Sequence, residues 1–164
     1  MQVATAAGRA GPLDFEQVLG DLYPALVRRL ALVVGDPEEA KDLAQTTYLR
    51  AYQHYHQFDG RDARAWLYTI GLRLAFRERQ RRQRWRQMFW TGPGPEPWQP
   101  AHDPALWSAL RELRREERAA LLLNAVDGYT LAEIAGMLGV PAGTVGSWVS
   151  RARARLREQL EKER

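Results

Sequence analysis

Apolar residues recur along this chain at three- and four-residue steps. Phe15, Val18, Leu19, Leu22, Leu26, Leu30 and Val33 form one such stripe, the spacing of a helix with one buried face. The pattern predicts a helix over about Asp14–Val34, with Pro24 inside it as a kink or as its true start. Gly35 suits the end of that helix. Asp36-Pro37-Glu38-Glu39 then gives an N-cap, a proline at the first helical position and two acids at the positive helix end. A second helix is predicted from Pro37 to about Gln57, broken by Phe58-Asp59-Gly60. A third is predicted over about Asp62–Gln87, apolar early (Ala65, Trp66, Ile70, Leu74) and arginine-rich late.

The pattern then stops. Between Met88 and Pro104 five prolines are interleaved with Gly92 and Gly94, which excludes regular helix or sheet and reads as a linker over 88–103. Trp90 and Trp98 fall inside it. Asp103-Pro104 repeats the cap-plus-proline start signal. Helices follow over about Pro104–Leu113 and Arg115–Val126, the latter ended by Asp127-Gly128. Thr130-Leu131-Ala132-Glu133 is a capping box that opens a short helix to Leu138. Gly139-Val140-Pro141 supplies a tight turn, and a last helix runs to about Glu161. No segment reads as a strand. The expectation is an all-α chain of two small helical domains, 14–87 and 104–164, with residues 1–13 as a flexible tail without the features of a signal peptide.

Composition narrows the chemistry. The chain has 164 residues and no cysteine, which excludes disulfide frameworks and thiolate metal sites and fits a reducing, cytoplasmic setting. No apolar run reaches the length of a membrane span. The net charge is only +4, but it is unevenly placed. Arg61 to Arg86 carry nine arginines against Asp62 and Glu78, a net of +7, whereas Met1 to Gly60 sum to −3. That asymmetry points to a polyanion on one face and a protein partner on another.

Two segments carry candidate function. Thr130 to Arg155 has the form of a helix-turn-helix, whose second helix enters the major groove; an ordinary helical hairpin with a solvated arginine face is the competing reading. Arg61 to Arg86 interleaves cations with Trp66, Tyr68, Phe76 and Trp85, a pattern in which arginines meet phosphates and aromatic faces stack on unpaired bases. For Trp66 the competing reading is a core residue. Catalytic readings find little: His54, His56 and His102 lack metal spacing, and Ser108, Ser147 and Ser150 lack a base and a nucleophile elbow. The prediction is a non-enzyme without a cofactor or metal.

Ala40-Lys41-Asp42-Leu43-Ala44-Gln45, then Phe58-Asp59-Gly60, then Arg64-Ala65-Trp66-Leu67-Tyr68-Thr69-Ile70 resemble domain two of extracytoplasmic-function (ECF) sigma factors, of the sigma-70 family of bacterial RNA polymerase. Gly128 to Ala135, Leu138 to Pro141, Gly143-Thr144-Val145 and Ser150-Arg151-Ala152-Arg153 resemble their domain four. The resemblance runs from about Phe15 to Leu160, in order, with a linker where the family has one. It implies that Asp42, Gln45 and Tyr48 dock on the β′ clamp helices of core RNA polymerase. It implies that the Gly60–Ala63 loop and the following helix hold the promoter −10 element with a base turned out of the stack. Domain four would read the −35 element and touch the β flap, and an anti-sigma protein would hold the factor inactive. The DNA-binding candidates are Arg61, Arg64, Trp66, Tyr68, Arg73, Arg77, Thr144, Ser147, Trp148, Arg151 and Arg153. Trp90 and Trp98 would anchor the linker.

Three departures stand out. Thr46 follows Gln45 where the family often has Glu. Arg73 replaces a usual Asn in the base-capturing helix. The recognition helix reads Gly143-Thr144-Val145-Gly146-Ser147-Trp148 where the family usually has a basic pair. An altered −35 preference, with Trp148 on sugar or thymine methyls, is one consequence; a domain four turned to a protein surface is the other. A stand-alone helix-turn-helix regulator that binds duplex DNA without polymerase remains the alternative function.

Overall fold

A computed structural model describes residues 12–89, 99–100 and 103–162, without the side chains of 12–14, 86 and 89. Trp90, Trp98, His102 and the tail at 1–11 lie outside the described residues. Among those described there are seven α-helices and no strand. They are α1 (Pro12–Val34), α2 (Pro37–Gln53), α3 (Ala63–Phe89), α4 (Pro104–Arg111), α5 (Arg115–Ala125), α6 (Leu131–Leu138) and α7 (Ala142–Lys162).

The helix ends follow the local chemistry. Gly35, at φ +76°, closes α1 by donating its N–H to Ala31 O at 2.8 Å. The Asp36 carboxylate accepts from the Glu38 and Glu39 amides at 2.9 and 3.2 Å and starts α2. Thr130 and Glu133 form the reciprocal capping box: the Thr130 amide donates to the Glu133 carboxylate at 2.8 Å, and the Glu133 amide donates to Thr130 Oγ1 at 3.2 Å. Gly139, at φ +68°, ends α6. Two expectations shift. Pro24 sits inside a continuous α1, on its exposed side, where the lost backbone donor costs least. The helix predicted to Gln57 stops at Gln53 and gives way to a 3-10 turn over Tyr55–Gln57. There Phe15 gathers the rings of Tyr55, Phe58 and Trp66 at centroid distances of 5.7–5.9 Å.

In the N-terminal half α1, α2 and α3 pack at close range. A Cβ on Gly71 would lie 3.1 Å from Thr47 Oγ1 and 3.3 Å from Leu26, so α3 crosses its neighbours where it has no side chain. Thr47 is fully buried and satisfies its hydroxyl by donating to Leu43 O at 2.7 Å. In the C-terminal half α4, α5 and α6 surround the start of α7 through Trp107, Leu123, Ile134, Val145 and Val149, all buried.

The two halves are not separate bodies. One apolar core runs from Leu26, Leu30 and Leu72 into Trp107, Leu123 and Ile134. Trp107 of α4 reaches the Gly35 turn, where a Cβ would lie 3.9 Å from its ring, and the Arg118 guanidinium lies 5.8 Å from the ring centroid. Burial, together with the cationic charges of Arg115, Arg111 and Arg79, lowers the Arg118 pKa to about 10.

Candidate nucleic-acid interface

The positive surface of the N-terminal half is built on α3 and the loop before it. Asp62 caps α3 by accepting the Ala65 amide at 2.9 Å, and Asp59 accepts the Arg61 amide at 3.0 Å. These bonds shape the Gly60–Ala63 loop, and Gly60 itself has φ +82°. Arg61 is exposed, with only a long contact to Asp59 at 3.5 Å. Arg64 and Arg77 are exposed and make no hydrogen bond or ion pair with the described residues. A cleft of about 420 Å³ runs between the end of α2 and α3, lined by Arg50, Gln53, Trp66, Thr69, Arg73 and Arg77. Cations, amide groups and part of one aromatic ring thus surround an open cleft larger than a single nucleobase.

The aromatic candidates fare unequally. Trp66 is half-buried against Phe15 and Phe58, at 5.7 and 5.3 Å, so only part of its ring is open. Tyr68 was expected to face a base, but here it is 3% exposed. Burial is the main reason its phenol is shifted up, and the Asp127 carboxylate adds to the shift. The two residues are neighbours on one helix, so both cannot point to the same side. Sequence reasoning missed Arg50 and Gln53. They belong to α2 and reach the cleft only because α2 and α3 pack against each other.

On α2 the polymerase candidates Asp42 and Gln45 are exposed, with Tyr48 half-buried. They share one face with Thr46, Leu49 and Tyr52, the last two 62% and 46% exposed. A helix face with one carboxylate among neutral polar and uncovered apolar side chains suits a protein partner better than a polyanion.

The helix-turn-helix is α6, Gly139-Val140-Pro141 and α7. Its arginines were expected at DNA, yet most have partners inside the protein. Glu117 of α5 is 1% exposed. It forms an ion pair with Arg151 Nε at 3.3 Å and accepts from Arg155 at 3.2 Å and from the Arg114 amide and guanidinium at 3.4 Å each. Arg153 donates to Asn124 Oδ1 at 2.9 Å, and Asn124 in turn donates to Tyr129 O at 2.9 Å. Thr144 is half-buried. Ser147 is exposed, its hydroxyl donating to Gly143 O at 3.0 Å. Trp148 is half-buried and packs on the apolar core. Without a side chain at Gly146, a groove of about 570 Å³ stays open beside Leu131, Val149, Arg153 and Arg157.

Arg73, the departure from a usual asparagine, spans the two halves. Its Nε donates to Met137 O at 2.9 Å and its NH2 to Gly136 O at 3.1 Å, at the C-terminal end of α6.

Among the described residues no helix is long and apolar enough to cross a membrane, and no cluster of three metal-ligand side chains occurs.

Comparison with known proteins agrees with this layout. Residues 18–86 match the family model for sigma-70 region 2, and residues 104–156 that for sigma-70 region 4. The ECF RNA polymerase sigma factor SigL of Mycobacterium tuberculosis is 34% identical over 157 residues, covering 88% of each chain. The RNA polymerase sigma-E factor of Streptomyces coelicolor is 31% identical, covering 90% of this chain and 86% of that one. Among solved structures, the sigma factor RpoE of Bartonella quintana, crystallised with the anti-sigma factor NepR, aligns with a TM-score of 0.77 at 29% identity. That alignment covers 92% of this chain and 99% of the other. CnrH in complex with the cytosolic domain of CnrY shares the fold, at TM-score 0.65 and 24% identity. With two region models in series and relatives that match along most of their length, the chain belongs to the ECF sigma factors of the sigma-70 family.

Proposed function

We propose that this protein joins core RNA polymerase, selects promoters by their −10 and −35 elements and promotes DNA melting, without chemistry of its own. One observation carries the reading: a cationic, partly aromatic cleft on α3 precedes a helix-turn-helix in a single chain of this family. The working division is domain two at 14–87, a linker at 88–103 and domain four at 104–164. In domain two, Arg61, Arg64 and Arg77 meet the phosphates of the −10 strand, Arg73 joins them only when its bonds to Gly136 O and Met137 O are released, and Trp66 offers the open part of its ring to an unstacked base. Tyr68 joins them only if its cover is removed. Capture of bases that exist only in melted DNA favours strand opening by mass action and needs no nucleotide hydrolysis.

Asp42, Gln45 and Tyr48, with Leu49 and Tyr52 beside them, supply the surface for the β′ clamp helices. In domain four, Thr144 and Ser147 face the −35 groove. With Arg151, Arg153 and Arg155 engaged internally, the readout there leans on hydroxyls and shape more than on cations. The β flap, promoter DNA and an anti-sigma protein are the expected partners, and the bacterial cytoplasm is the expected compartment. A stand-alone regulator explains neither the family match across both domains nor the exposed face of α2.

Run-off transcription with bacterial core polymerase and a promoter library tests the reading. Transcripts that appear only when the protein is added are the expected outcome. Specific duplex binding by the protein alone, with no polymerase binding and no transcripts, would refute it.

A further inference from the structure

Arg118 of α5 is 6% exposed, yet it makes no hydrogen bond or ion pair with the described residues. Its guanidinium stands 5.8 Å from the Trp107 ring centroid, and a Cβ on Gly35 would lie 4.0 Å from NH1. Its Nε is enclosed without a partner, whereas NH1 and NH2 are not fully enclosed. An arginine is seldom taken out of water without a counter-charge, because the lost hydration is costly. The ring face offsets part of that cost and cancels no charge.

The surroundings deepen the imbalance. Arg115, Arg111 and Arg79 add positive potential at Arg118, and Glu116 opposes them. Two of these cations are already engaged. Arg115 holds the buried Glu39 carboxylate with two bonds of 3.1 Å and donates to Val34 O at 3.5 Å. Arg79 of α3 meets Glu116 at 3.5 Å. Arg111 is exposed in the last turn of α4 and, like Arg118, makes no hydrogen bond or ion pair with the described residues. Two positive charges thus stand within electrostatic reach of each other, neither paired with a carboxylate.

Helix geometry strengthens the field. Arg118 lies near the start of α5, the positive end of the helix, and helical side chains lean toward that end. The N-cap is Arg114, whose side chain has no acceptor for the first amides. Ends of this kind favour anions.

We propose that Arg118 and Arg111 form a binding site for a phosphoryl group, either free phosphate or the terminal group of a phosphate monoester, with Arg79 and Arg115 on its flanks. Two unpaired guanidiniums match the roughly two negative charges of a phosphoryl group near neutral pH. The planar fork of a guanidinium also fits two phosphoryl oxygens. Arg118 keeps its charge at neutral pH, since its pKa falls only to about 10. With Arg118 so little exposed, a small ion reaches it and a polymer backbone does not. None of the four arginines lines the clefts beside α3 that face the −10 strand.

Isothermal titration of the full chain with sodium phosphate, at an ionic strength held constant by chloride, tests the site. Adenosine monophosphate serves as the monoester probe. The expected result is saturable uptake of one probe molecule per chain. Arg111→Gln should weaken it about tenfold, the equivalent of one charge-assisted hydrogen bond. Arg118→Met should abolish it, and Arg64→Gln on the −10 face should leave it unchanged. Whichever probe binds more tightly names the source of the phosphoryl group. If Arg118→Met loses helicity, Arg111→Gln decides, because its side chain is exposed. Absence of saturable uptake of either probe would overturn the site. Uptake that Arg111→Gln leaves unchanged would overturn it too, and a loss on Arg64→Gln instead would put the anion on the −10 face.

Discussion

Two arginine-rich helices, α3 and α7, look alike in sequence and do different work. On α3, Arg64 and Arg77 are exposed and make no hydrogen bond or ion pair with the described residues, while Arg73, Arg79, Arg81 and Arg82 of the same helix do. On α7, Arg151 and Arg155 converge on Glu117, and Arg153 holds Asn124. Arg151 and Arg155 meet one buried carboxylate, Glu117 of α5, that has no counterpart under Arg64 and Arg77. A carboxylate at 1% exposure must be neutralised where it sits, and the nearest cations are recruited to it. A basic stripe on a recognition helix therefore does not by itself measure its grip on DNA.

The contrast can be broken most forcefully at Glu117. Glu117→Ala should strip Arg114, Arg151 and Arg155 of their shared partner and destabilise domain four by about 3 kcal/mol, read from denaturant unfolding. That is the low end of the range for a broken buried pair, because the arginines are half exposed. The same substitution should leave the salt dependence of single-strand binding unchanged. If stability holds, the claim that α7's arginines serve the framework is wrong.

Next comes Arg64→Ala. Loss of one phosphate contact should weaken single-strand binding and lower the salt slope by about 0.7, with stability moved by less than about 0.5 kcal/mol. A matching loss on Arg153→Ala would erase the distinction between the helices.

Gly146→Ala sharpens the picture of α7. The added Cβ would meet Leu131 at 3.7 Å, an ordinary contact, so relief of the glycine's helix cost should stabilise the chain by about 1 kcal/mol. A fall in the unfolding midpoint would mean that the groove beside Gly146 is under strain not visible in these contacts.

The smallest effect concerns alkaline pH. Burial first, and the Asp62 carboxylate second, push the Tyr129 phenol up from its ordinary value near 10. In the folded chain the phenol keeps its proton while the unfolded one ionises. That contribution is intact below pH 10 and is lost as the pH rises above it. Tyr129→Phe should flatten the loss, as followed by helicity across an alkaline titration. An unchanged profile would place the alkaline transition elsewhere.

Much of this molecule was legible from local signals. Asp36, Thr130 with Glu133, Gly35 and Gly139 set helix ends because capping is short-range chemistry between neighbours in the chain. The apolar stripe from Phe15 to Val33 is a true core face for the same reason: helical periodicity is a property of consecutive residues. The two family patterns, and with them membership of the ECF sigma factors, were likewise written along the chain. The extra turn predicted for α2 was not, because Tyr55 and Phe58 leave the helix to reach the ring of Phe15, across the bundle.

What only the tertiary structure decided is which charges are free. Residue type announces an arginine at 73, 115, 151 or 155, but its partner is a carbonyl or carboxylate 34 to 76 residues away in the chain. Tyr68 reads as a stacking residue until α1 and the Asp127 loop close around it. Local propensity and spacing determined the helices and the family. Burial, which depends on how distant helices meet, determined which of the candidate side chains remain exposed.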